Sequence, residues 1–138
     1  MPQGIVAGPM KTPHRPRILL VDDDDLLRRT LARVLASDFE VTQAPNGRAA
    51  IEALCGGAFD AVVTDLEMPE LGGDGLAAWI ATNQPELAAR VIVVTGGAKR
   101  EDQAAWLRAF DPERVLRKPY LASALADALE RVIARGTS

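Results

Sequence analysis

The sequence predicts an α/β protein: a doubly wound, five-stranded parallel sheet with helices on both faces, a (βα)5 arrangement. Short apolar runs alternate with stretches of helical spacing along most of the chain. The runs contain few polar residues, which is typical of strands buried on both faces. Strict alternation implies right-handed crossovers between parallel strands. The 138 residues are enough for one domain of ordinary size.

Each element has its own signal. The predicted strands lie at 18–21, 39–42, 61–64, 91–94 and 115–116, and the fourth is the most β-branched. Apolar residues at three- and four-residue spacing predict five amphipathic helices between and after the strands. The residues that mark these helices are Leu27, Leu31, Val34 and Leu35; Ala50, Ile51 and Leu54; Leu76, Trp79 and Ile80; Trp106, Leu107 and Phe110; and Leu121, Leu125, Leu129, Val132 and Ile133.

The ends of the chain differ in composition from its middle. The first 15 residues contain three prolines, two glycines and His14, without periodicity. We therefore expect a flexible leader or linker over 1–16, the folded domain over 17–135, and a tail over 136–138 with no output domain after it.

Composition excludes several classes of function. The 16 basic and 19 acidic residues give a net charge of −3, so nucleic acid is not an expected partner. Cys55 is the single cysteine, which excludes an intramolecular disulfide and favours a reducing, cytoplasmic location. We expect Cys55 to be a small buried hydrophobe. No apolar run approaches the roughly 18 residues of a membrane span, and no signal peptide is visible, so no membrane contact is expected.

Polar side chains follow four of the five predicted strands. Asp22 and Asp23 follow the first, Asp65 the third, Thr95 the fourth and Lys118 the fifth. In open parallel sheets, ligands bind beyond the carboxyl ends of the strands, so these side chains should meet at one edge. Asp24 and Asp25 are more typical of a cap for the first helix.

Several carboxylates at one edge require a cation or a proton. Two of them about 4 Å apart repel by about 4 kcal/mol at an effective dielectric constant of about 20. Lys118 can offset one charge, and oxygen ligands of this kind suit Mg²⁺, or Mn²⁺ of the same class. A divalent ion, a lysine, a hydroxyl and a carboxylate are the groups that phosphoryl transfer requires. Asp65 is the best nucleophile because it stands alone after the central strand.

Four segments together resemble the receiver domain of the two-component response-regulator family. They are ILLVDDD at 18–24, DAVVTDLEMPELGG at 60–73, VIVVTGGA at 91–98 and VLRKPY at 115–120. The resemblance runs from about Arg17 to Ala134 and implies the flavodoxin-like receiver fold. It also implies a signalling phosphoacceptor, which is not an enzyme beyond its own phosphorylation and dephosphorylation. TGGA with RKPY further resembles receivers of hybrid sensor histidine kinases, and a single-domain regulator fits equally.

The resemblance assigns roles to individual residues. Asp65 would accept a phosphoryl group from a histidine of a sensor histidine kinase or a histidine-phosphotransfer protein, and a downstream protein partner would read the result. Asp23, Asp65 and the backbone carbonyl of Glu67 would ligate Mg²⁺ directly, and Asp22 would act largely through water. Thr95 would donate its hydroxyl to the phosphoryl group.

The segment around the lysine would complete the site. Lys118 would bridge to Asp65 or to the phosphoryl group, and Pro119 would follow a cis peptide bond.

The sequence departs from the family pattern at three positions. Val115 stands where an aromatic switch residue is common, so the usual rotation of a ring cannot occur. Glu67 lies two residues after the acceptor, where an acid could position water or repel the phosphoryl group. Leu121 stands where a helix cap is expected.

Three other functions are alternatives to the receiver interpretation of the sequence. A phosphatase with an aspartyl nucleophile, of the haloacid-dehalogenase type, would use Asp65 with Glu67. A flavodoxin-like cofactor binder would need a phosphate loop after the first strand, where four aspartates repel phosphate. A pseudo-receiver that serves only for docking would not need Asp23, Asp65, Thr95 and Lys118.

Overall fold

The computed structural model describes residues 15–136 and contains one five-stranded parallel sheet. The strands, in chain order, are β1 Arg17–Val21, β2 Glu40–Ala44, β3 Ala61–Asp65, β4 Val91–Thr95 and β5 Val115–Arg117. Their order across the sheet is β2-β1-β3-β4-β5, and every neighbouring pair is parallel. The order reverses direction after β2, which is the doubly wound topology that the alternation predicted.

Helices cover both faces of the sheet. They are α1 Asp25–Leu35, α2 Gly47–Gly56, α3 Gly73–Asn83, α4 Glu101–Ala109 and α5 Ala122–Gly136, with 3-10 turns at Pro85–Arg90 and Pro112–Arg114. Two apolar clusters fill the space between sheet and helices. One cluster packs β1, β3 and β4 against α1 and α5, and the other packs the opposite face of the same strands against α2 and α3.

The central strands place successive side chains in different clusters. Ile18 and Leu20 of β1 lie in the first cluster, and Leu19 and Val21 lie in the second. This is the period-two alternation of a strand, here apolar on both faces. Each fully buried side chain of this size contributes about 1.5–3 kcal/mol to folding. A strand fixed on both faces cannot slip, so the residues that follow it have fixed positions.

Three details of the sequence interpretation were wrong. The second strand is Glu40–Ala44 rather than 39–42, and Phe39 is buried just before it. Two residues of the predicted apolar stripes are exposed. Val34 is 53% exposed, because the inward face of α1 carries Arg28, Leu31, Ala32 and Leu35. Leu121 is 74% exposed, because it precedes the first residue of α5. Cys55 is exposed rather than buried. It follows the buried Leu54 in α2, and a step of about 100° around a helix turns it away from the sheet.

Several boundaries match the predictions, and others are not tested. Asp24 caps α1, since its Oδ1 accepts from the backbone N–H of Leu27 at 3.1 Å. Ala122 begins α5, and the Leu121 carbonyl accepts from the N–H of Leu125. Residues 1–14, including His14, and residues 137–138 lie outside the described part, so the leader and tail remain predictions. Over residues 15–136, no helix is long and apolar enough to cross a membrane.

Candidate functional site

Three carboxylates meet where β1 and β3 end. Asp22 and Asp23 follow β1, and Asp65 is the last residue of β3. The strands pair in parallel, with Val21 opposite Thr64, so their carboxyl ends lie side by side. One carboxylate oxygen from each of the three aspartates lies within 4.8 Å of the others. Asp22 and Asp65 are each 5% exposed, whereas Asp23 is open to solvent.

Lys118 reaches the same cluster from the end of β5. Its Nζ lies 3.0 Å from Asp65 Oδ1. The backbone N–H of Lys118 donates to the Thr95 carbonyl at 2.8 Å, and the Lys118–Pro119 peptide bond is cis, as expected from the sequence. Partial burial opposes the charge of Lys118, but the ion pair with Asp65 and the other nearby carboxylates hold its pKa above the ordinary value.

The environment disfavours the charge of the buried carboxylates. Burial raises the pKa of Asp65 to about 6, and the charges of Asp22 and Glu67 add to this effect while Lys118 opposes it. Burial also raises the pKa of Asp22, although the N–H of Asp24 donates to its Oδ1 at 2.9 Å. Burial, with the charges of Asp22 and Asp65, raises the pKa of Tyr120 to about 12. The cluster therefore favours a bound proton or cation.

The donor set indicates which cation would fit. The converging ligand atoms are carboxylate oxygens, without sulfur or imidazole nitrogen among the described residues of the cluster. Oxygen-only sets suit hard divalent ions such as Mg²⁺ and Mn²⁺. A divalent charge would also offset the burial and the nearby carboxylate charges that together raise the pKa of Asp65. The residues present therefore fit a magnesium-type ion.

Thr95 lies at the end of β4, and its hydroxyl is already engaged. Its Oγ1 donates to Glu67 Oε2 at 2.8 Å and accepts from the N–H of Gly97 at 2.9 Å. Thr95 is fully buried. The Glu67 carboxylate thus accepts the hydrogen bond of the Thr95 hydroxyl, which differs from both roles considered for this acid, positioning water or repelling the phosphoryl group. The Glu67 backbone carbonyl remains a predicted ligand of the metal.

Arg28 supports the acidic cluster from behind, and the sequence interpretation missed it. Its side chain is buried on the inward face of α1. Nη1 donates to the Asp22 carbonyl at 2.8 Å and pairs with Asp25, and Nε donates to Gln43 Oε1 at 3.1 Å. A signal was present, since position 28 continues the inward spacing of 31, 32 and 35. An arginine in that stripe indicates a buried cation with acceptors around it.

The loop that follows Asp65, residues 66–72, is the acceptor loop. Its Met68 is buried, as expected for a packing residue. Leu71 fits closely against α2, because a Cβ placed on Gly47 would lie 2.7 Å from Leu71 Cδ2. On its other side the loop contacts Gln103 of α4, whose side chain is 3% exposed. No sequence pattern indicates that Gln103 is buried, since a lone glutamine is normally exposed.

Several known proteins are similar to this chain in sequence and fold. The family model described as "Response regulator receiver domain" matches residues 18–130. The chain is 33% identical over 125 residues to the response regulator receiver protein CpdR of Brucella abortus, covering 85% of this chain and 96% of that protein. It is 33% identical over 121 residues to the chemotaxis protein CheY-3 of Vibrio cholerae, covering 86% and 92%.

Larger relatives and solved structures extend the comparison. The chain is 30% identical to part of the sensor histidine kinase TmoS of Ectopseudomonas mendocina, and it spans only 12% of that protein and 24% of FleR of Pseudomonas aeruginosa. A response regulator receiver domain of Clostridium thermocellum superposes with a TM-score of 0.77 at 28% identity, covering 88% of this chain and 97% of that one. The chain therefore belongs to the response regulator receiver domain family of two-component signalling.

Proposed function

We propose that this chain is the phosphoacceptor of a two-component pathway and that Asp65 is the residue phosphorylated. The observation that carries the proposal is the convergence of Asp22, Asp23 and Asp65 within 4.8 Å, with Lys118 Nζ 3.0 Å from Asp65. The phosphodonor would be a phosphohistidine of a sensor histidine kinase or a histidine-phosphotransfer protein. The setting would be the cytoplasm, where such donors and a reduced cysteine are compatible.

The transfer forms one bond and breaks another. A carboxylate oxygen of Asp65 forms a P–O bond as the P–N bond of the donor imidazole breaks, and the imidazole nitrogen retains the electron pair. The nucleophile must be ionised, and its pKa of about 6 leaves it so at neutral pH. Lys118 lies close enough to Asp65 for its ammonium group to stabilise the negative charge on the phosphoryl oxygens.

The carboxylates of Asp22, Asp23 and Asp65 and the backbone carbonyl of Glu67 would hold Mg²⁺, or Mn²⁺ in its place. The ion would supply positive charge that offsets the anionic phosphoryl group. This charge is needed because Lys118 alone faces three carboxylates in the described cluster. Asp23, the most exposed of the three, is the natural point of entry for a hydrated ion.

Phosphorylation would act as a switch by shifting an equilibrium between two conformations. Thr95 has one hydroxyl proton, and in this structure the hydroxyl donates it in a hydrogen bond to Glu67. Donation of that proton to a phosphoryl group requires the bond to Glu67 to break. Arrival of the phosphoryl group would therefore free the Glu67 side chain, and the acceptor loop would change with it.

The competing functions have less support. In a phosphatase of the kind considered above, the acid two residues after the nucleophile would have to exchange protons with substrate. Here the Glu67 carboxylate instead accepts the hydroxyl proton of Thr95. A role confined to docking would not require the paired and desolvated Asp65. The proposed function therefore does not include turnover of other substrates. A downstream protein partner would bind the phosphorylated form.

The test is incubation with Mg²⁺ and acetyl phosphate, followed by intact-mass measurement. We expect one phosphoryl group on the wild-type chain, none on Asp65→Asn, and none when a chelator removes the divalent ion. Val115→Tyr is a matched control, because Val115 lies on β5 and supplies no ligand to the cluster. It should be labelled like the wild type. A folded wild-type chain that gains no phosphoryl group from several donors would contradict the proposal.

A further inference from the structure

Gln103 is a buried polar residue on a helix whose other polar side chains face solvent. It is 3% exposed, whereas Glu101, Asp102 and Arg108 are exposed. Its Nε2 donates to the Leu66 carbonyl and to Asp74 Oδ1, both at 3.2 Å. An amide nitrogen has two N–H groups, and each has an acceptor here. Since both partners are acceptors, only the nitrogen end of the amide can face them.

The partners of Gln103 belong to the segment that follows the phosphoacceptor. Leu66 is the next residue after Asp65, and its carbonyl also accepts from the N–H of Gly73 at 2.9 Å. Asp74 lies in the first turn of α3. Gly72 leaves room for the amide, because a Cβ at that position would lie 2.8 Å from Gln103 Nε2. The start of the acceptor loop and the first turn of α3, which follows the loop, are therefore both hydrogen-bonded to one side chain of α4.

The segment that joins β4 to α4 contains two glycines with open space beside them. The chain from Thr95 to α4 passes through Gly96 and Gly97, where an added Cβ would meet nothing within 4 Å. Gly97 has a φ of 115°, a conformation that other residues rarely adopt. An open cavity of about 340 Å³ lies between residues 67–69 and residues 99–100, and Gln103 also lines it. Gln103 thus reaches from α4 across this cavity to the acceptor loop.

We propose that Gln103 is a positioning residue which ties α4 to the acceptor loop, and that the phosphorylation state of Asp65 reaches α4 through this contact. The proposal rests on the function proposed above. It supplies a connection that does not need an aromatic ring at Val115. The two hydrogen bonds of the Gln103 amide are already 3.2 Å long, so they cannot stretch much further. A shift of Leu66 or Asp74 would therefore either break them or move α4.

The test compares hydrogen exchange of the α4 amides before and after labelling with acetyl phosphate and Mg²⁺. In the wild type we expect exchange over 101–109 to change by about three- to tenfold, the range that one net hydrogen bond supplies. Gln103→Leu should still gain one phosphoryl group but lose this response. Asp74→Ala, which removes one of the two acceptors, should lose part of it.

Gln84→Leu is the matched control. Gln84 Nε2 donates to the Leu54 carbonyl at 2.9 Å, a partly buried bond of the same chemical type at the end of α3. This variant should keep the α4 response even if its unfolding free energy falls as much as that of Gln103→Leu.

A second readout separates positioning from general destabilisation. For Gln103→Leu we expect the Mg²⁺ concentration at half-maximal labelling to rise by about three- to tenfold, with the rate at saturating Mg²⁺ near that of the wild type.

The possible failures are distinguishable. If neither the wild type nor Gln103→Leu is labelled, the proposed function fails and this proposal fails with it. If both are labelled and α4 responds equally in both, or responds in neither, the role of Gln103 is overturned while the proposed function stands. A response lost equally in Gln84→Leu would also overturn it, because the effect would then follow stability alone.

Discussion

Charged residues lie at both ends of β1, but their surroundings differ. At the amino end, Arg17 stacks on Phe59 at 4.9 Å, donates to the Ala58 carbonyl at 2.9 Å and lies 3.7 Å from Glu40. Its backbone N–H donates to Asp60 Oδ2 at 2.8 Å. At the carboxyl end, five residues away, three carboxylates share one lysine, and burial raises the pKa of two of them.

The difference separates the frame of the protein from its site. At the amino end, the charge of Arg17 has a ring, a carbonyl and a carboxylate as partners, and these contacts stabilise the folded chain. Buried, like-charged carboxylates at the carboxyl end lower the stability of the folded state. A bound cation removes this cost, so the cost contributes to the affinity of the site for the cation. The comparison therefore predicts that ligand, pH and substitution act differently at the two ends.

Mg²⁺ should have the largest effect, and only through the carboxyl end. At about 100 times its dissociation constant, it should raise the free energy of unfolding by about 2.7 kcal/mol at pH 7.5, since it binds the folded state. The gain should shrink below pH 6, because protonated Asp65 cannot be a ligand. Denaturant unfolding with and without Mg²⁺ measures this. Equal stabilisation of Asp23→Asn would show that the ion binds elsewhere.

Asp65→Asn should stabilise the metal-free chain at neutral pH. Its raised folded-state pKa of about 6, against 3.8 in the unfolded chain, means that the folded state holds the proton more tightly. The aspartate therefore costs stability as pH rises from about 4 to above 6, by up to about 3 kcal/mol. We expect Asn, which stays neutral, to recover most of this cost, about 2 kcal/mol, at pH 7.5. Urea unfolding should show no gain at pH 4, and a gain independent of pH would refute the electrostatic cause.

Arg17→Met should do the opposite at the amino end. It removes the ring contact, the bond to the Ala58 carbonyl and the pairing with Glu40, at a cost of about 1.5 kcal/mol. The loss should be the same with and without Mg²⁺, and labelling by acetyl phosphate should be unaffected. If Mg²⁺ affinity fell together with stability, the two ends would not be independent.

Glu67→Ala should have the smallest effect on stability. It removes the acceptor of the Thr95 hydroxyl, which is worth about 1 kcal/mol, while Glu67→Gln retains an oxygen at that position. Because Thr95 is then free to donate, we expect the phosphorylated form of Glu67→Ala to be favoured. The ratio of labelled to unlabelled chain at fixed acetyl phosphate measures this. A ratio unchanged from that of Glu67→Gln would contradict the competition for the proton.

The fold was predictable because its signals are local and repeated. Five apolar runs separated by helical spacing are enough to define a doubly wound sheet, and the rule for strand ends then brings Asp22, Asp23, Asp65 and Lys118 together. Their convergence in the structure follows from topology alone. Which of them acts chemically remains a proposal, since proximity does not assign a role.

What the sequence did not show depends on side-chain conformation across long separations. The bond between Thr95 and Glu67 joins residues 28 apart, and no spacing rule connects a strand end to a loop acid. Gln103 is hidden for the same reason. Cys55 is exposed because Leu54 already occupies the inward position on α2, and the place of a residue on its helix outweighs the general tendency of cysteine to be buried.

The contact between Leu71 and Gly47 has a consequence for natural variation. Gly47 is distant from Asp65 in sequence, yet a larger residue at position 47 must displace either Leu71 or α2. The far half of the acceptor loop would move, while the nucleophile and its lysine kept their places. A sequence change at position 47 should therefore leave a well-folded protein with altered signalling, and a genetic screen for silent or constantly active alleles would be expected to find it.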